Sequence, residues 1–102
     1  MSGPSTASKT AVSGDTIVLD VRTAEEFAAG HLDGAQQLDF NGGEVAAAIP
    51  TLDPNVEYLL YCRSGNRSGQ AVTLMEQAGF TNLTNLGSLE EAAQATQIAV
   101  VK

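Results

Sequence analysis

The sequence has one cysteine, Cys62, one histidine, His31, and no tryptophan among its 102 residues. A single cysteine cannot form an internal disulfide, so the fold has to be held by noncovalent packing, and nothing demands an oxidising compartment. A Cys-x-x-Cys metal site is excluded for the same reason. Any special role for Cys62 therefore has to come from the chemistry of a free thiol.

Basic residues are also scarce: five Lys and Arg stand against 12 Asp and Glu, which gives a formal net charge of -7. A surface of that charge repels nucleic-acid backbones and anionic membranes, so we expect no nucleic-acid partner. The sequence has no apolar run long enough for a membrane-spanning helix, so we predict no transmembrane segment. Small molecules and other proteins remain as partners.

With 43% hydrophobic residues, the chain can build one compact domain with a small core. Residues 1–14 are rich in Ser, Thr, Gly and Ala and have no sustained periodicity, which predicts a flexible tail before a domain over residues 15–102. As written, the chain is compatible with a cytoplasmic protein. If an N-terminal export signal has been removed, a periplasmic or otherwise exported protein is equally compatible.

Two runs, residues 16–21 and 56–61, are almost continuously apolar and rich in strand-forming residues. This pattern is typical of strands that are covered on both faces in a parallel sheet. Capping-box sequences that begin at Thr23 and Ser88 predict helix starts. Weaker patterns predict a turn over 31–34, short strands over 35–38 and 82–86, helices over 42–49 and 68–78, and an edge strand over 98–101.

Strands and helices thus alternate at short spacing, which predicts an α/β fold with a small, mostly parallel sheet and helices on both faces. Ligands meet such sheets at the carboxyl ends of the strands. Cys62 directly follows the second strong strand and therefore lies at that edge.

The segment after this strand combines features that stabilise a thiolate: a flexible glycine, two arginines and the start of a helix. Gly65 and Asn66 tolerate the positive φ angles that let backbone N–H groups converge on an anion. A cysteine that serves only as a small buried hydrophobic residue needs none of these features. We therefore predict that Cys62 is catalytic. The predicted substrate-binding residues are Arg63, Ser64, Gly65, Asn66, Arg67 and Ser68. Of these, the two serines are expected to add hydroxyl donors and the two arginines full positive charges.

Five short segments stand out along the chain. They are Val18-Leu19-Asp20-Val21-Arg22, Glu25-Glu26-Phe27, Gly30-His31-Leu32-Asp33-Gly34-Ala35, Tyr61-Cys62-Arg63-Ser64-Gly65-Asn66-Arg67-Ser68 and Ala78-Gly79-Phe80. As a set they resemble the single-domain rhodaneses, which are thiosulfate sulfurtransferase-type modules. The early strand and helix of that family are missing or reduced, and its tryptophan-containing ending is absent. This trimmed layout is similar to the small phage-shock-associated periplasmic rhodaneses.

The resemblance implies that the Cys62 thiolate takes a sulfane sulfur from a donor such as thiosulfate and holds it as a persulfide. The acceptor would be cyanide or a thiol, with a protein sulfur acceptor as a further partner. No metal or organic cofactor is implied. We expect the protein to be a monomer.

Two other functions stay open at this point. A rhodanese-like module can serve as a sulfur carrier or as a redox or protein-interaction module with little turnover of thiosulfate. Relatives in the same fold superfamily act as phosphatases or arsenate reductases, but their signature has one more residue between its cysteine and arginine than the four between Cys62 and Arg67. The shorter turn favours a single sulfur over a tetrahedral oxyanion.

Asp20 and Arg22 lie at the same predicted sheet edge as Cys62, and His31 is the only histidine of the sequence. Asp20 is a candidate for orienting the loop. Arg22 is a second supporting candidate, which we expect to bond Glu25 or Glu26 rather than substrate. His31 belongs to a turn that resembles a structural signature of the family, and a cradle of amides and arginines needs no general base.

Overall fold

The computed structural model describes residues 16–102, which alternate short strands and helices. The predicted flexible tail, residues 1–14, lies outside the described residues. None of the helices within 16–102 has the length and apolar character needed to cross a bilayer. In chain order the elements are β1 (Ile17–Asp20), α1 (Ala24–Ala29), β2 (His31–Leu32), β3 (Gln36–Gln37), α2 (Glu44–Ala48), a 3₁₀ turn (Ile49–Thr51), β4 (Tyr58–Cys62), α3 (Asn66–Gln77), β5 (Leu83–Ser88), α4 (Leu89–Thr96) and β6 (Val100–Val101).

The main sheet has four parallel strands in the order β3-β1-β4-β5. Strand β4 lies between β1 and β5, and all five of its residues are buried, which explains its unbroken apolar run. The two strongest strand predictions are confirmed, although β4 begins two residues later than predicted and ends one residue later, at Cys62. Cys62 is therefore the last residue of a fully buried strand and lies at the carboxyl edge of the sheet.

Successive residues of β4 face opposite sides of the sheet, because side chains alternate along a strand. Leu60 and Cys62 belong to a core that includes residues of α2 and α3. Leu59 and Tyr61 belong to a second core that includes residues of β2 and α4. The prediction of helices on both faces is therefore confirmed.

Both capping boxes form as predicted. The Thr23 hydroxyl accepts from the Glu26 amide and the Ser88 hydroxyl accepts from the Glu91 amide, while each glutamate reaches back to its cap. Helix α2 ends before Pro50, with a 3₁₀ turn after it. Helix α3 begins at Asn66, two residues earlier than predicted, because Gly65 takes the cap position.

The turn predicted over residues 31–34 is wrong in its first half. His31–Leu32 forms β2 and pairs antiparallel with β6, so the predicted C-terminal strand joins a separate two-stranded sheet instead of extending the main one. This pairing joins residues about 70 positions apart, and the local pattern of Gly and Asp around residues 31–34 carries no information about it.

Asp20 and Arg22 form a buried ion pair at the end of β1. Arg22 Nη2 lies 2.6 Å from Asp20 Oδ2, and Arg22 Nε lies 2.9 Å from Asp20 Oδ1. The same Nη2 donates to the carbonyl of Gly30, which ties β1 to the end of α1. The guanidinium carbon also lies 5.5 Å from the ring centre of Tyr61. The pair thus joins a strand, a helix end and the core.

The expectation that Arg22 bonds Glu25 or Glu26 is wrong. Asp20 is fully buried and Arg22 is 6% exposed. A buried carboxylate has to be paired with a cation, and the two glutamates lie on the more exposed helix surface. Burial, rather than closeness to the helix start, decides the partner of Arg22.

We expect Arg22→Ala to lower the free energy of unfolding by about 3–5 kcal/mol, because it leaves the Asp20 carboxylate buried without its partner. Urea unfolding followed by circular dichroism measures this loss. Arg63→Ala is the matched control: Arg63 is exposed and makes no ion pair within residues 16–102. Its effect should stay within about 0.5 kcal/mol. Equal unfolding midpoints for wild type and Arg22→Ala would contradict the structural role of the pair.

Candidate active site

The chain turns sharply after Cys62 and enters α3 at Asn66. Gly65 makes this possible with a φ of +94°, a left-handed conformation that other residues rarely adopt. A Cβ at Gly65 would also lie 3.3 Å from the Cα of Gly87, so the turn packs closely against β5. Glycine is therefore required here by both its dihedral angle and the space.

Three hydrogen-bond donors, from this turn and from the first turn of α3, converge on the sulfur of Cys62. The Gly65 amide lies 3.0 Å from Sγ, the Ser68 amide 3.5 Å and the Ser68 hydroxyl oxygen 3.4 Å. The Ser68 amide belongs to the first turn of α3, where backbone N–H groups have no partner within the helix. We call this set of donors around Cys62 Sγ the sulfur cradle.

The cradle changes the ionisation of Cys62. Burial alone raises the pKa of the thiol, since a charged sulfur is poorly solvated inside a protein. The hydrogen bonds from the Ser68 side chain and from the amides of Ser68, Ser64 and Gly65 act in the opposite direction, and the pKa of Cys62 falls below its ordinary value. The geometry therefore stabilises a thiolate inside the protein.

Two of the predicted loop residues contribute differently from expectation. Asn66 does not take a positive φ, because it is the first residue of α3, and its side-chain oxygen accepts from Gln70 on the exposed side. Ser64 acts on the sulfur through its amide rather than its hydroxyl. Gly65 and Ser68 are thus the residues of the turn that bond Sγ most directly.

Arg67 makes an ion pair with Glu26 of α1. Its two terminal nitrogens lie 2.9 and 3.1 Å from the two carboxylate oxygens of Glu26, a paired geometry that only arginine offers. Glu26 also closes the capping box of α1 by accepting from the Thr23 amide. The Glu26 carboxylate offsets part of the charge that Arg67 was expected to offer to the sulfur, although Cys62 is among the groups that raise the pKa of Arg67.

Arg63, by contrast, is exposed and has no carboxylate partner within residues 16–102. It lines a cleft of about 260 Å³ next to the turn that joins Cys62 to α3, which we call the cradle turn. The cleft lies between α1, the turn and the start of α4. Its lining residues are Arg22, Glu26, Ala29, Arg63, Leu89 and Glu90. Arg63 is the residue of this set that can offer an unpaired positive charge to an anion.

Asp20 and Cys62 are not brought together. Asp20 pairs in register with Tyr61, one residue before Cys62, so its side chain faces the other side of the sheet. Its carboxylate bonds Arg22 and makes no hydrogen bond to the turn. Of the two supporting candidates, Arg22 alone reaches the cleft.

His31 lies outside the cradle. Its Nδ1 is 2.8 Å from the carbonyl oxygen of Phe27, and its ring stacks on the Phe27 ring with a centroid distance of 3.7 Å. These contacts hold β2 against the end of α1. They are consistent with the expectation that His31 supports the fold.

Asn85 in β5 is a site residue that the sequence did not reveal. Its side-chain amide bonds both Gly65 and Ser68, the two residues that bond the sulfur. A polar residue in a short strand carries no local signal of such a contact. The contact arises because parallel pairing places β5 beside β4, 20 residues further along the chain.

We expect Glu26→Gln to lower the free energy of unfolding by about 1 kcal/mol at about pH 7, a value reduced for the partial exposure of the ion pair. The hydrogen bond from Arg67 lowers the pKa of Glu26 from 4.5 to about 2. A lowered carboxylate pKa adds stability that is complete above the ordinary pKa and is lost as the pH falls toward the folded-state value. Urea unfolding at several pH values should therefore give wild type a higher free energy of unfolding than Glu26→Gln above about pH 4.5. The two free energies should become equal near pH 2.

Glu25→Gln is the matched control for this test. Glu25 lies beside Glu26 in the first turn of α1, is exposed, and makes no ion pair within the described part of the chain. The same loss of stability in both variants would contradict a specific contribution from the Glu26–Arg67 pair.

The sequence and the fold both match known proteins. The family model for the rhodanese-like domain matches residues 4–95. The chain is 32% identical over 77 residues to the thiosulfate sulfurtransferase PspE of Escherichia coli, which covers 74% of this chain and 72% of that protein. It is 34% identical over 80 residues to the thiosulfate sulfurtransferase GlpE of Pseudomonas putida, which covers 78% of this chain and 71% of that protein.

A solved structure described as a rhodanese with anions from E. coli superposes with a TM-score of 0.74 at 30% sequence identity, over 85% of this chain and 98% of that chain. The mostly parallel sheet with helices on both faces is thus the architecture of this family. With a matching family model, matching relatives and a matching fold, the chain belongs to the rhodanese-like domain family.

Proposed function

We propose that this protein is a sulfurtransferase that moves a sulfane sulfur from a donor such as thiosulfate to a nucleophilic acceptor through a persulfide on Cys62. The observation that carries the proposal is the convergence of the Gly65 and Ser68 donors on the Cys62 sulfur. Fixed donors around a buried sulfur favour its anion, which is the nucleophile in exchange at sulfur–sulfur bonds.

In the first step, the Cys62 thiolate attacks the outer sulfur of thiosulfate. The sulfur–sulfur bond of the donor breaks, sulfite leaves with the electron pair of that bond, and Cys62 holds one additional sulfur as a persulfide anion. In the second step, cyanide attacks the terminal sulfur, thiocyanate forms, and the Cys62 thiolate is regenerated. A thiolate acceptor would leave as its own persulfide. Neither step needs an outside oxidant or reductant.

The cradle suits this chemistry because its donors are already oriented before the negative charge moves to the outer sulfur. A small ring of N–H groups fits one sulfur atom, and the turn has four residues between Cys62 and Arg67. Cys62 has no exposed surface, so a donor has to enter through the turn, where Arg63, Ser64 and Asn66 are the exposed residues. We assign Arg63 to the attraction of the anionic donor.

The names of the relatives support thiosulfate as a donor, since PspE and GlpE are thiosulfate sulfurtransferases. Cyanide or a thiol is the acceptor that we propose. A protein thiol fits the same second step.

Incubation with thiosulfate should raise the intact mass of the wild-type protein by one sulfur atom, and cyanide should remove this sulfur as thiocyanate. Cys62→Ser should gain no sulfur and form no thiocyanate, because Cys62 is the sole cysteine. Mass spectrometry and a colorimetric thiocyanate assay measure both effects. A mass gain without turnover would indicate a sulfur carrier instead. Hydrolysis of an aryl phosphate with no mass gain would indicate a phosphatase.

Ser68→Ala should raise the pKa of Cys62, because it removes a hydroxyl that lies 3.4 Å from the sulfur and lowers the pKa of the thiol. Alkylation by iodoacetamide at about pH 6, well below the ordinary thiol pKa, should then slow about five-fold, the equivalent of one hydrogen bond of about 1 kcal/mol. At high pH, where the thiol is fully ionised, the rates should agree. Thr81→Ala, which removes an exposed hydroxyl outside the site, is the control. An equal slowing at every pH would argue against an effect on ionisation.

A further inference from the structure

Asn85 bonds the cradle turn at two points. Its Nδ2 donates to the Gly65 carbonyl at 3.0 Å, and its Oδ1 accepts from the Ser68 hydroxyl at 2.6 Å. The same Oδ1 accepts from the Gly87 amide at 3.0 Å. A backbone carbonyl can only accept and a backbone N–H can only donate, so these contacts fix the orientation of the Asn85 amide.

An irregularity in β5 brings Asn85 to this position. Leu60 of β4 pairs with Asn85, but the next residue, Tyr61, pairs with Gly87, so one extra residue is accommodated in β5. Gly87 takes a φ of +93° beside the bulge and packs against Gly65. The bulge therefore sets the turn against β5 and places the Asn85 amide within reach of it.

The Ser68 hydroxyl has one proton and two neighbours that can accept it. The oxygen lies 2.6 Å from Asn85 Oδ1 and 3.4 Å from Cys62 Sγ. The shorter contact makes Asn85 a strong competitor for that proton. Asn85 thus has two opposing effects on the thiol. Its bond to the Gly65 carbonyl helps to orient the Gly65 amide toward the sulfur, whereas its bond to the Ser68 hydroxyl takes up a proton that could otherwise be donated to the sulfur.

We propose that Asn85 is a positioning residue of the sulfur cradle, which acts through Gly65 to set how strongly the cradle stabilises the Cys62 anion. The Gly65 amide is the shortest of the three donors to Sγ, and the other side of the same residue is held by Asn85. The Asn85 side chain makes no hydrogen bond to the sulfur itself. The Gly65 carbonyl also accepts from the Gly69 amide at 3.0 Å, so Asn85 holds Gly65 from the side of β5 while α3 holds it from the other side.

Ser68→Ala protein is the reference for the test, because it removes the competition for the hydroxyl proton and leaves Asn85 with its contacts to Gly65 and Gly87. Addition of Asn85→Ala should slow alkylation of Cys62 by iodoacetamide a further three- to five-fold at about pH 6 and leave the rate unchanged at high pH, as expected for loss of about one hydrogen bond to the thiolate. A purely structural role would lower stability without this pH dependence. Asn82→Ala in the same background is the control, since Asn82 is exposed and lies just before β5.

Equal pH profiles for Ser68→Ala and the double variant, or an equal change with Asn82→Ala, would overturn the proposal. Amide hydrogen exchange of the single Asn85→Ala variant gives a second measurement in a protein that retains Ser68. Protection of the Gly65 amide should fall about ten-fold relative to wild type, and unchanged protection would overturn the proposal as well. Asn85 is exposed, so its removal leaves the core intact. Neither measurement uses a sulfur donor, so both stay decisive if sulfur transfer itself fails.

Discussion

A sulfur anion can exist inside this protein only if fixed donors replace the water that burial removes. This constraint governs the arrangement of the site. Cys62 has no exposed surface, and the donors that face its sulfur come from Gly65 and Ser68, with a contribution from the Ser64 amide. A flexible turn could not serve, because the donors would rotate away and the neutral thiol would be favoured.

Four neighbouring elements hold the turn in place. The buried strand β4 holds Cys62 as its last residue, and α3 supplies the Ser68 amide from its first turn. The pair of Arg67 and Glu26 ties α3 to α1, while Asn85 holds the turn against β5. Arg67 therefore serves the cradle more as a tie between helices than as a free charge. Arg63 remains as the exposed cation beside the turn, with no carboxylate partner among residues 16–102.

Features encoded by neighbouring residues were predictable. Thr23 and Ser88 open helices because each hydroxyl reaches an amide three residues away. The apolar runs of β1 and β4 indicated strands buried on both faces. Partners across the fold were not predictable in this way. Arg22 bonds buried Asp20 instead of the adjacent glutamates, and the pairing of β2 with β6 depends on residues about 70 positions apart.

The sequence by itself determined that a single thiol ends a buried strand, that a glycine and a serine follow it within six residues, and that the whole belongs to a small α/β fold. These features depend on spacing along the chain, and they were enough to single out Cys62 as the candidate for a reactive thiol. Only the tertiary structure decided which groups contact the sulfur and which carboxylates pair with Arg22 and Arg67. Asn85 and Glu26 reach the turn from β5 and α1, and such contacts arise when the sheet and helices pack, because burial and hydrogen-bond geometry select partners that lie far apart in the chain.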